Sequence, residues 1–428
     1  MSEMRNEATA AAGAAVAIVG YGTAGVNAAI ALRNAGYKGA IHAFSDTNTL
    51  PYSPILTSYY AGGRKTYEEC FPWSEAELAE LDVSLHAESP VVALDVAAHT
   101  VRTAAGEEFP YAKCLVAVGA RPTTAGFPAV EGYEPLVLRT LEAGERMKAA
   151  FARPDCTRVL VSGASMIALK SVEAALDCGL SVELVGMNSH ILDMSALPVA
   201  AKRFERGLRA QGVALRFGET MQAVEVVPRA DGAAGTELAV TFSGGETERF
   251  DEIVVAHGVR SDLSFIPEGA LAVDRAIVVD DFMRTSDADV YAAGDCAQAR
   301  ELISGEKRVI GIWKAAAVQG ACAGTAIAAE LAGREPSPAD AYPGGLVMNT
   351  IAVNGTLFIA AGESHAAEGR RVEVRETDTM TVASIFAPTA EGGERLVGFN
   401  VASDVDEPGG VAYDTAAMLT LRIEEACR

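Results

Sequence analysis

Apolar runs in this chain are short, and several of them end in glycine. The run Ala15 to Val19 reads as a buried strand, and Gly20, Gly22 and Gly25 follow it as GxGxxG. An Ala-rich stretch then continues as a helix to about Asn34, and a second strand is expected over Ala40 to Phe44. The same order returns at Arg158: an apolar strand, glycine places held by Gly163, Ser165 and Ala168, a helix, and a strand over Val182 to Val185. Runs of Val, Ile and Ala without polar alternation suit strands buried on both faces of a parallel sheet. KCLVAVGARP (113 to 122) and EIVVAHGVRS (252 to 261) each close such a strand with Gly-x-Arg. Gly20 lies 99 residues before Gly119, and Gly163 lies 95 before Gly258, so one βαβ-based module is read twice. A strand over Val290 to Ala292 and a helix from Trp313 to about Leu331 come later, so the second copy interrupts the first. Beyond about residue 337 the pattern changes to strands with turns, closed by a helix over 411 to 426.

The uncharged stretch from Ala8 to Leu32 resembles a signal peptide or membrane span only in composition. Glu3, Arg5 and Glu7 flank it, and Gly20, Gly22 and Gly25 interrupt it, so it reads as a disordered Ala-rich tail leading into the first strand. A length of 428 residues suggests two or three domains. The net charge of -22 repels phosphate backbones and anionic lipid, so neither nucleic acid nor a membrane is an expected partner. The seven cysteines are scattered without CxxC, which indicates no zinc or iron–sulfur site and fits a reducing, cytoplasmic setting.

The glycine motifs carry the candidate chemistry. In GxGxxG one glycine makes the tight turn, one admits a pyrophosphate, and one lets helix and strand close up, while the helix N-terminus offers free amides to the phosphates. Asp46, just past the second strand, can hold a ribose hydroxyl. In the second module Ser165 narrows the pyrophosphate approach. Gly186, Met187 and Asn188 offer neither an acid for a 2′-hydroxyl nor an Arg for a 2′-phosphate. Discrimination between NADH and NADPH is therefore expected to be weak, leaning to NADH because a 2′-phosphate would find no cationic partner. A Rossmann unit kept only as scaffold is the plain alternative. Gly294 brings the backbone close to a ligand, and Asp295 can accept from a ribityl hydroxyl or serve only as a turn residue. The helix starting at Trp313 points a positive dipole end at charge on a reduced flavin.

These residues resemble the pyridine nucleotide-disulfide oxidoreductase superfamily, nearest to its ferredoxin-reductase, nitrite-reductase and NADH-oxidase branches. The resemblance rests on GYGTAG (20 to 25), PYSPILTSYYAGG (51 to 63), VGARP (118 to 122), GASMIA (163 to 168), HGVRSD (257 to 262), TSDADVYAAGDCA (285 to 297) and the Trp313, Ala316, Gln319, Gly320 pattern. It implies an α/β chain with two Rossmann-like domains, one for FAD and an inserted one for NAD, plus a C-terminal α+β interface domain. The expected limits are 1–122 with 251–335 for FAD, 123–250 for NAD(P), and 336–428 for the interface module, through which homodimerisation stays open. Gly20, Gly22, Thr23, Ala24, Gly25, Asp46, Ser58, Gly119, Arg121, Gly294, Asp295, Trp313 and Ala316 are the implied FAD contacts. Gly163, Ser165, Met166, Ile167 and Gly258 are the implied coenzyme contacts, with NADP an alternative to NAD.

Two departures bear on mechanism. Residues 45 to 69 contain no cysteine, Cys70 stands alone, and no His follows His365, so a thiol–disulfide relay is not expected. In resembling enzymes a Glu stands where this chain has Lys170, and ferredoxin-reductase relatives pair it with a Lys where this chain has Tyr59. A cation there would raise the flavin potential, so Lys170→Glu is expected to lower it and slow reduction by NADH while FAD content and stability stay nearly unchanged; a solvated helix lysine is the bland reading. His257 is a second candidate, with core packing as its alternative. The expected reaction is hydride exchange between NAD(P)H and FAD, with electrons passed to a redox partner protein or subunit. A self-sufficient NAD(P)H oxidase or small-molecule reductase is one alternative. A redox-responsive interaction protein resembling apoptosis-inducing factor is the other.

Overall fold

A computed structural model describes residues 15–427. The Ala-rich tail expected ahead of the first strand lies outside the described residues. The described chain forms two compact units. One comprises the chain up to Ser53, Phe71–Arg121 and Arg260–Leu346; the other comprises Pro54–Cys70, Pro122–Val259 and the chain from Val347. The class is α/β, as the alternation of apolar strands and helices implies.

In the first unit five strands run parallel in the order Val290–Ala292, Lys113–Val116, Val16–Val19, Ile41–Phe44, Ser84–His86. Val16–Val19 is buried along its whole length, which is why it carries no polar residue. The glycine loop leaves its C-terminal end and enters the helix Thr23–Asn34. That helix lies against the helix Trp313–Leu331 at backbone distance. A Cβ on Gly320 would stand 2.1 Å from the Ala24 carbonyl oxygen, and one on Gly324 would stand 2.3 Å from that of Ala28. A small mixed sheet of Ile277–Val278, Ala297–Arg300 and Lys307–Val309 is inserted just before the second of these helices.

In the second unit four parallel strands follow the order Ala214–Phe217, Ser181–Gly186, Arg158–Ser162, Glu252–Val255. One face shares a core with the helices Met166–Asp177 and Pro198–Ala210. The other packs on an antiparallel sheet of Met221–Pro228, Thr236–Phe242 and Thr247–Phe250. The C-terminal region is a five-stranded antiparallel sheet in the order Met348–Val353, Thr356–Gly362, Glu394–Ser403, Met380–Pro388, Arg371–Glu376, followed by the helix Val411–Ala426. Phe358, Ala360 and Ala402 of that sheet belong to the same core as Phe204 and Leu208. Arg203, buried on the helix Pro198–Ala210, donates to the Thr381 hydroxyl (2.8 Å) and the Thr377 carbonyl (2.8 Å) and pairs with Asp404. A buried guanidinium satisfied in this way ties that helix to the C-terminal sheet.

Sequence and structure agree on Val290–Ala292, Trp313–Leu331 and Val411–Ala426, and differ by one residue at the ends of the strands Val16–Val19, Ile41–Phe44 and Ser181–Gly186. The sheet over 221–250 was not anticipated, because its half-exposed strands alternate weakly and carry many charges. Gly320→Ala forces a Cβ into a backbone oxygen and is expected to destabilise the protein by about 1–3 kcal/mol. A fall in the urea midpoint followed by circular dichroism checks it; an unchanged midpoint shows that the helix seam has more room.

Candidate functional site

The three glycines of the first motif answer to different constraints. Gly20 has φ +99°, and a Cβ there would sit 2.4 Å from the Ala117 carbonyl oxygen. A Cβ on Gly25 would meet the Gly20 carbonyl oxygen at 2.3 Å. Gly22 differs: its φ is -83°, and nothing lies within 4 Å of the place a Cβ would take. Neither backbone conformation nor internal packing requires glycine there, and the space beside it is open. Gly22 is also the N-cap of the helix Thr23–Asn34, which has no side-chain cap and no acid in its first turn. Its amides, including those of Thr23 and Ala24, are thus free to bind an anion.

The later motif is folded against this loop. A Cβ on Gly294 (φ +83°) would stand 3.4 Å from the Ala24 Cβ and 3.6 Å from the Ala316 Cβ, so Ala24, Gly294 and Ala316 converge. The Gly294 N–H donates to the Gln319 Oε1 (2.8 Å), and Gln319 is fully buried. Gln319 therefore holds the turn that presents Asp295. It was not among the candidate site residues, although its place three residues after Ala316 offered a signal. The helix Trp313–Leu331 also starts without a side-chain cap or an acid, and the Trp313 Nε1 is buried with no hydrogen-bond partner in the protein. Trp313 stacks beside Trp73, with ring centroids 6.4 Å apart.

Asp46 and Arg121 form an ion pair. The strands that lead to them flank Val16–Val19 on either side, so the pair spans the C-terminal end of the central strand where the glycine loop begins. Gly119 takes φ +65° two residues earlier. The uncapped helix starts, the space at Gly22 and the unpartnered indole together fit an elongated dinucleotide with a central pyrophosphate. Ser58, placed with the flavin candidates by sequence, belongs to the second unit, and its hydroxyl is buried with no hydrogen-bond partner in the protein.

The second glycine loop is built differently. Gly163 (φ +121°) lies with its Cβ position 2.6 Å from the Ala256 carbonyl oxygen, a packing role like that of Gly20. Ser165 caps its own helix, accepting from the Ala168 N–H at 3.4 Å, so one amide near Met166 and Ile167 is already engaged. Gly258 (φ +96°) lies on the exposed end of the Glu252–Val255 segment. His257 has both ring nitrogens engaged: Nδ1 with the Ala125 carbonyl and Nε2 with the Ser162 hydroxyl, each at 2.8 Å. That arrangement supports the packing alternative for His257.

Lys170 and Tyr59 are brought together. The Lys170 ammonium donates to the Tyr59 hydroxyl (2.9 Å) and to Glu173 Oε2 (2.7 Å), and it lies 4.4 Å from the Tyr59 ring centroid. Its side chain is 14% exposed and that of Glu173 only 4%, so Lys170 is not a solvated lysine. Arg64 donates to the other Glu173 oxygen (2.7 Å) and to Asp177 and Asn354. The expectation that Lys170→Glu would leave stability unchanged is therefore corrected. A second carboxylate beside buried Glu173 removes one partner of a buried pair, a change worth about 3–5 kcal/mol.

Burial raises the thiols Cys70, Cys114, Cys156, Cys178, Cys296 and Cys322 above their ordinary range, Cys296 and Cys322 to about 11. All six are unbridged, and none has the lowered pKa of a reactive thiolate. Among the described residues no group of three His, Cys, Asp or Glu is placed to hold a metal, and no helix is long and apolar enough to cross a membrane.

The family model described as pyridine nucleotide-disulphide oxidoreductase matches residues 14–320. The chain is 32% identical to a rubredoxin-NAD(+) reductase of Pseudomonas putida over 68% of this chain and 74% of that one. It is 30% identical to the epsilon subunit of an NADH-dependent phenylglyoxylate dehydrogenase of Aromatoleum evansii over 86% and 85%. Among solved structures, the water-forming NADH oxidase of Lactobacillus brevis has a TM-score of 0.84 at 20% identity, covering 96% of this chain and 91% of that one. A putidaredoxin reductase–putidaredoxin complex has 0.79 at 23%, covering 96% and 93%.

Because Gly22 is free of internal contacts, Gly22→Val is expected to fold normally yet fill the space over the helix start. The purified variant should emerge as colourless apoprotein with the parent's circular dichroism. Full retention of FAD by this variant would show that the pyrophosphate lies elsewhere.

Proposed function

Since this chain belongs to the pyridine nucleotide-disulphide oxidoreductase family, we propose that it is an FAD-dependent oxidoreductase taking hydride from NADH and passing the electrons to a redox partner protein or subunit. The observation that carries this reading is the pair of unlike glycine loops, one in each unit, of which only the first leaves a glycine without an internal reason. Bound flavin supplies the change from two-electron to one-electron transfer; the protein supplies position and electrostatics. Gly20, Gly22 and Gly25 would hold the FAD pyrophosphate with the amides of Thr23 and Ala24. Asp46 with Arg121 would hold the adenosine ribose, and Asp295, held by Gln319, the ribityl chain. Gly163, Ser165, Met166, Ile167 and Gly258 would hold NADH, with NADPH the weaker substrate.

Two observations favour a protein acceptor over a disulfide. The thiols lie above their ordinary range, and the relatives include, by name, a rubredoxin reductase and a subunit of a dehydrogenase. We keep the three-domain division at 122, 250 and 335, and a cytoplasmic location, as parts of this reading; unbridged thiols fit a reducing compartment.

Anaerobic stopped-flow mixing tests the reading. NADH should bleach the flavin band, and rubredoxin or a low-potential iron–sulfur protein should then reoxidise it. A preference for NADPH above about tenfold, about 1.4 kcal/mol, would contradict the coenzyme assignment.

Lys170→Met is the cleaner test of the lysine, because Glu173 keeps its bond to Arg64. If Lys170 acts as a positioning charge for the reaction, the variant lowers the midpoint potential of bound FAD and slows reduction by NADH. If it is only structural, melting temperature falls while potential and reductive rate match the parent.

A further inference from the structure

The chain carries 57 acids and 35 Lys plus Arg, yet from Lys307 to Ala329 it has no acid at all and three cations, Lys307, Arg308 and Lys314. Lys307 and Arg308 lie on Lys307–Val309, an edge strand exposed at every position. Lys307 stands opposite Arg300 in the antiparallel register, so like charges face each other across the strands, an arrangement that costs stability. Among the described residues none of Lys307, Arg308 and Lys314 belongs to an ion pair with a protein carboxylate. Four cations of this unit are matched, Lys113 and Arg284 with Glu330, Arg121 with Asp46 and Arg300 with Asp281, which leaves the exposed edge among its unpaired positive charges. Of the two acids in the turn, Glu301 is buried and accepts from the Ile303 and Ser304 amides, while Glu306, exposed, directly precedes Lys307 and offsets one of the three cations.

The position of this basic edge matters as much as its charge. The hairpin Ala297–Val309 leaves directly from the Gly294–Cys296 turn that carries Asp295 and returns through Ile310–Ile312 to Trp313. On the return a Cβ at Gly311 would lie 4.0 Å from the Asp295 carboxylate. Both ends of the basic hairpin are thus anchored in candidate flavin residues of the same unit. Lys314 adds a cation to the first turn of a helix whose dipole already favours negative charge there.

We propose that the Lys307–Val309 edge with Lys314 is a docking face for an acidic one-electron redox protein. The inference rests on the partner-dependent reading above and specifies the partner's charge and its landing place. The exchange balances as NADH plus two oxidised partner molecules giving NAD+, one proton and two reduced partner molecules. Charges on an edge strand also guard against strand-to-strand aggregation. Reversing their sign preserves that guard while reversing docking, so the two roles separate.

An acidic rubredoxin is the probe, reduced by NADH through the FAD-loaded full chain across a range of ionic strength. For the parent, kcat/KM toward rubredoxin should fall steeply with salt. K307E/R308E should lower it by about tenfold or more at low salt and flatten the salt dependence, because steering is a local electrostatic effect. Reduction of menadione, FAD content and melting temperature should match the parent, and K307Q/R308Q should fall between. A double variant with the parent's kcat/KM and salt slope overturns the docking face and leaves the partner-dependent reading standing. A parent that reduces menadione but not rubredoxin overturns that reading, and the docking face with it.

Discussion

The close approach of the helices Thr23–Asn34 and Trp313–Leu331 is the constraint on which the candidate flavin site depends. Gly320 and Gly324 stand against the carbonyls of Ala24 and Ala28 with no room for a methyl group. Helices with larger side chains at such a contact stay 8–10 Å apart. At that wider spacing Gly294 would not reach both Ala24 and Ala316. The two halves of the motif, nearly 300 residues apart in the chain, would then no longer face the same ligand. The Ala- and Gly-rich composition of the later helix is thus a requirement of the site rather than a helix preference.

The two glycine loops show how one backbone plan is set for two kinds of ligand. The first leaves its helix start bare, keeps an open space at Gly22, and has an acid and a guanidinium on either side of the loop. The second caps its own helix with Ser165 and has no acid just past its second strand. Bare amides and extra contacts hold a ligand longer. A coenzyme that leaves after each turnover needs a weaker hold than a resident cofactor, and the difference in capping lies in that direction.

Much of this was legible in the sequence because parallel strands, glycine turns and Ala-rich helices leave local signals. The strand Val290–Ala292 and the helix Trp313–Leu331 follow directly from such signals. What depends on distant partners was not legible. Lys170 reads as a helix lysine until Tyr59, Glu173 and Arg64 surround it, and Arg64 arrives from a segment more than a hundred residues away. His257 reads as a reactive candidate until Ser162 and Ala125 occupy its two nitrogens. That the segment 54–70, Ser58 included, packs with the second unit rather than with the first is also not written in its motif. Side-chain partnership and the course of the chain between units are tertiary facts, and single-sequence patterns do not contain them.

Net charge is a poor guide to partners once pairing is known. A value of -22 suggests a surface that repels any acidic protein. Yet at physiological salt the Debye length is about 8 Å, so a partner near contact responds to the charges it faces rather than to the sum. Most cations in this chain are spent inside their own unit: Arg158 and Arg216 on buried Glu183 and on Glu248, Arg203 on Asp404, Arg229 on Asp251. Such pairs hold strands and helices together and present little field outside. Lys307 and Arg308 are among the cations outside such pairs, and they face water side by side on an edge strand that leads into Trp313. A strongly acidic protein can therefore receive an acidic partner where unpaired cations gather on one exposed edge beside the candidate flavin residues.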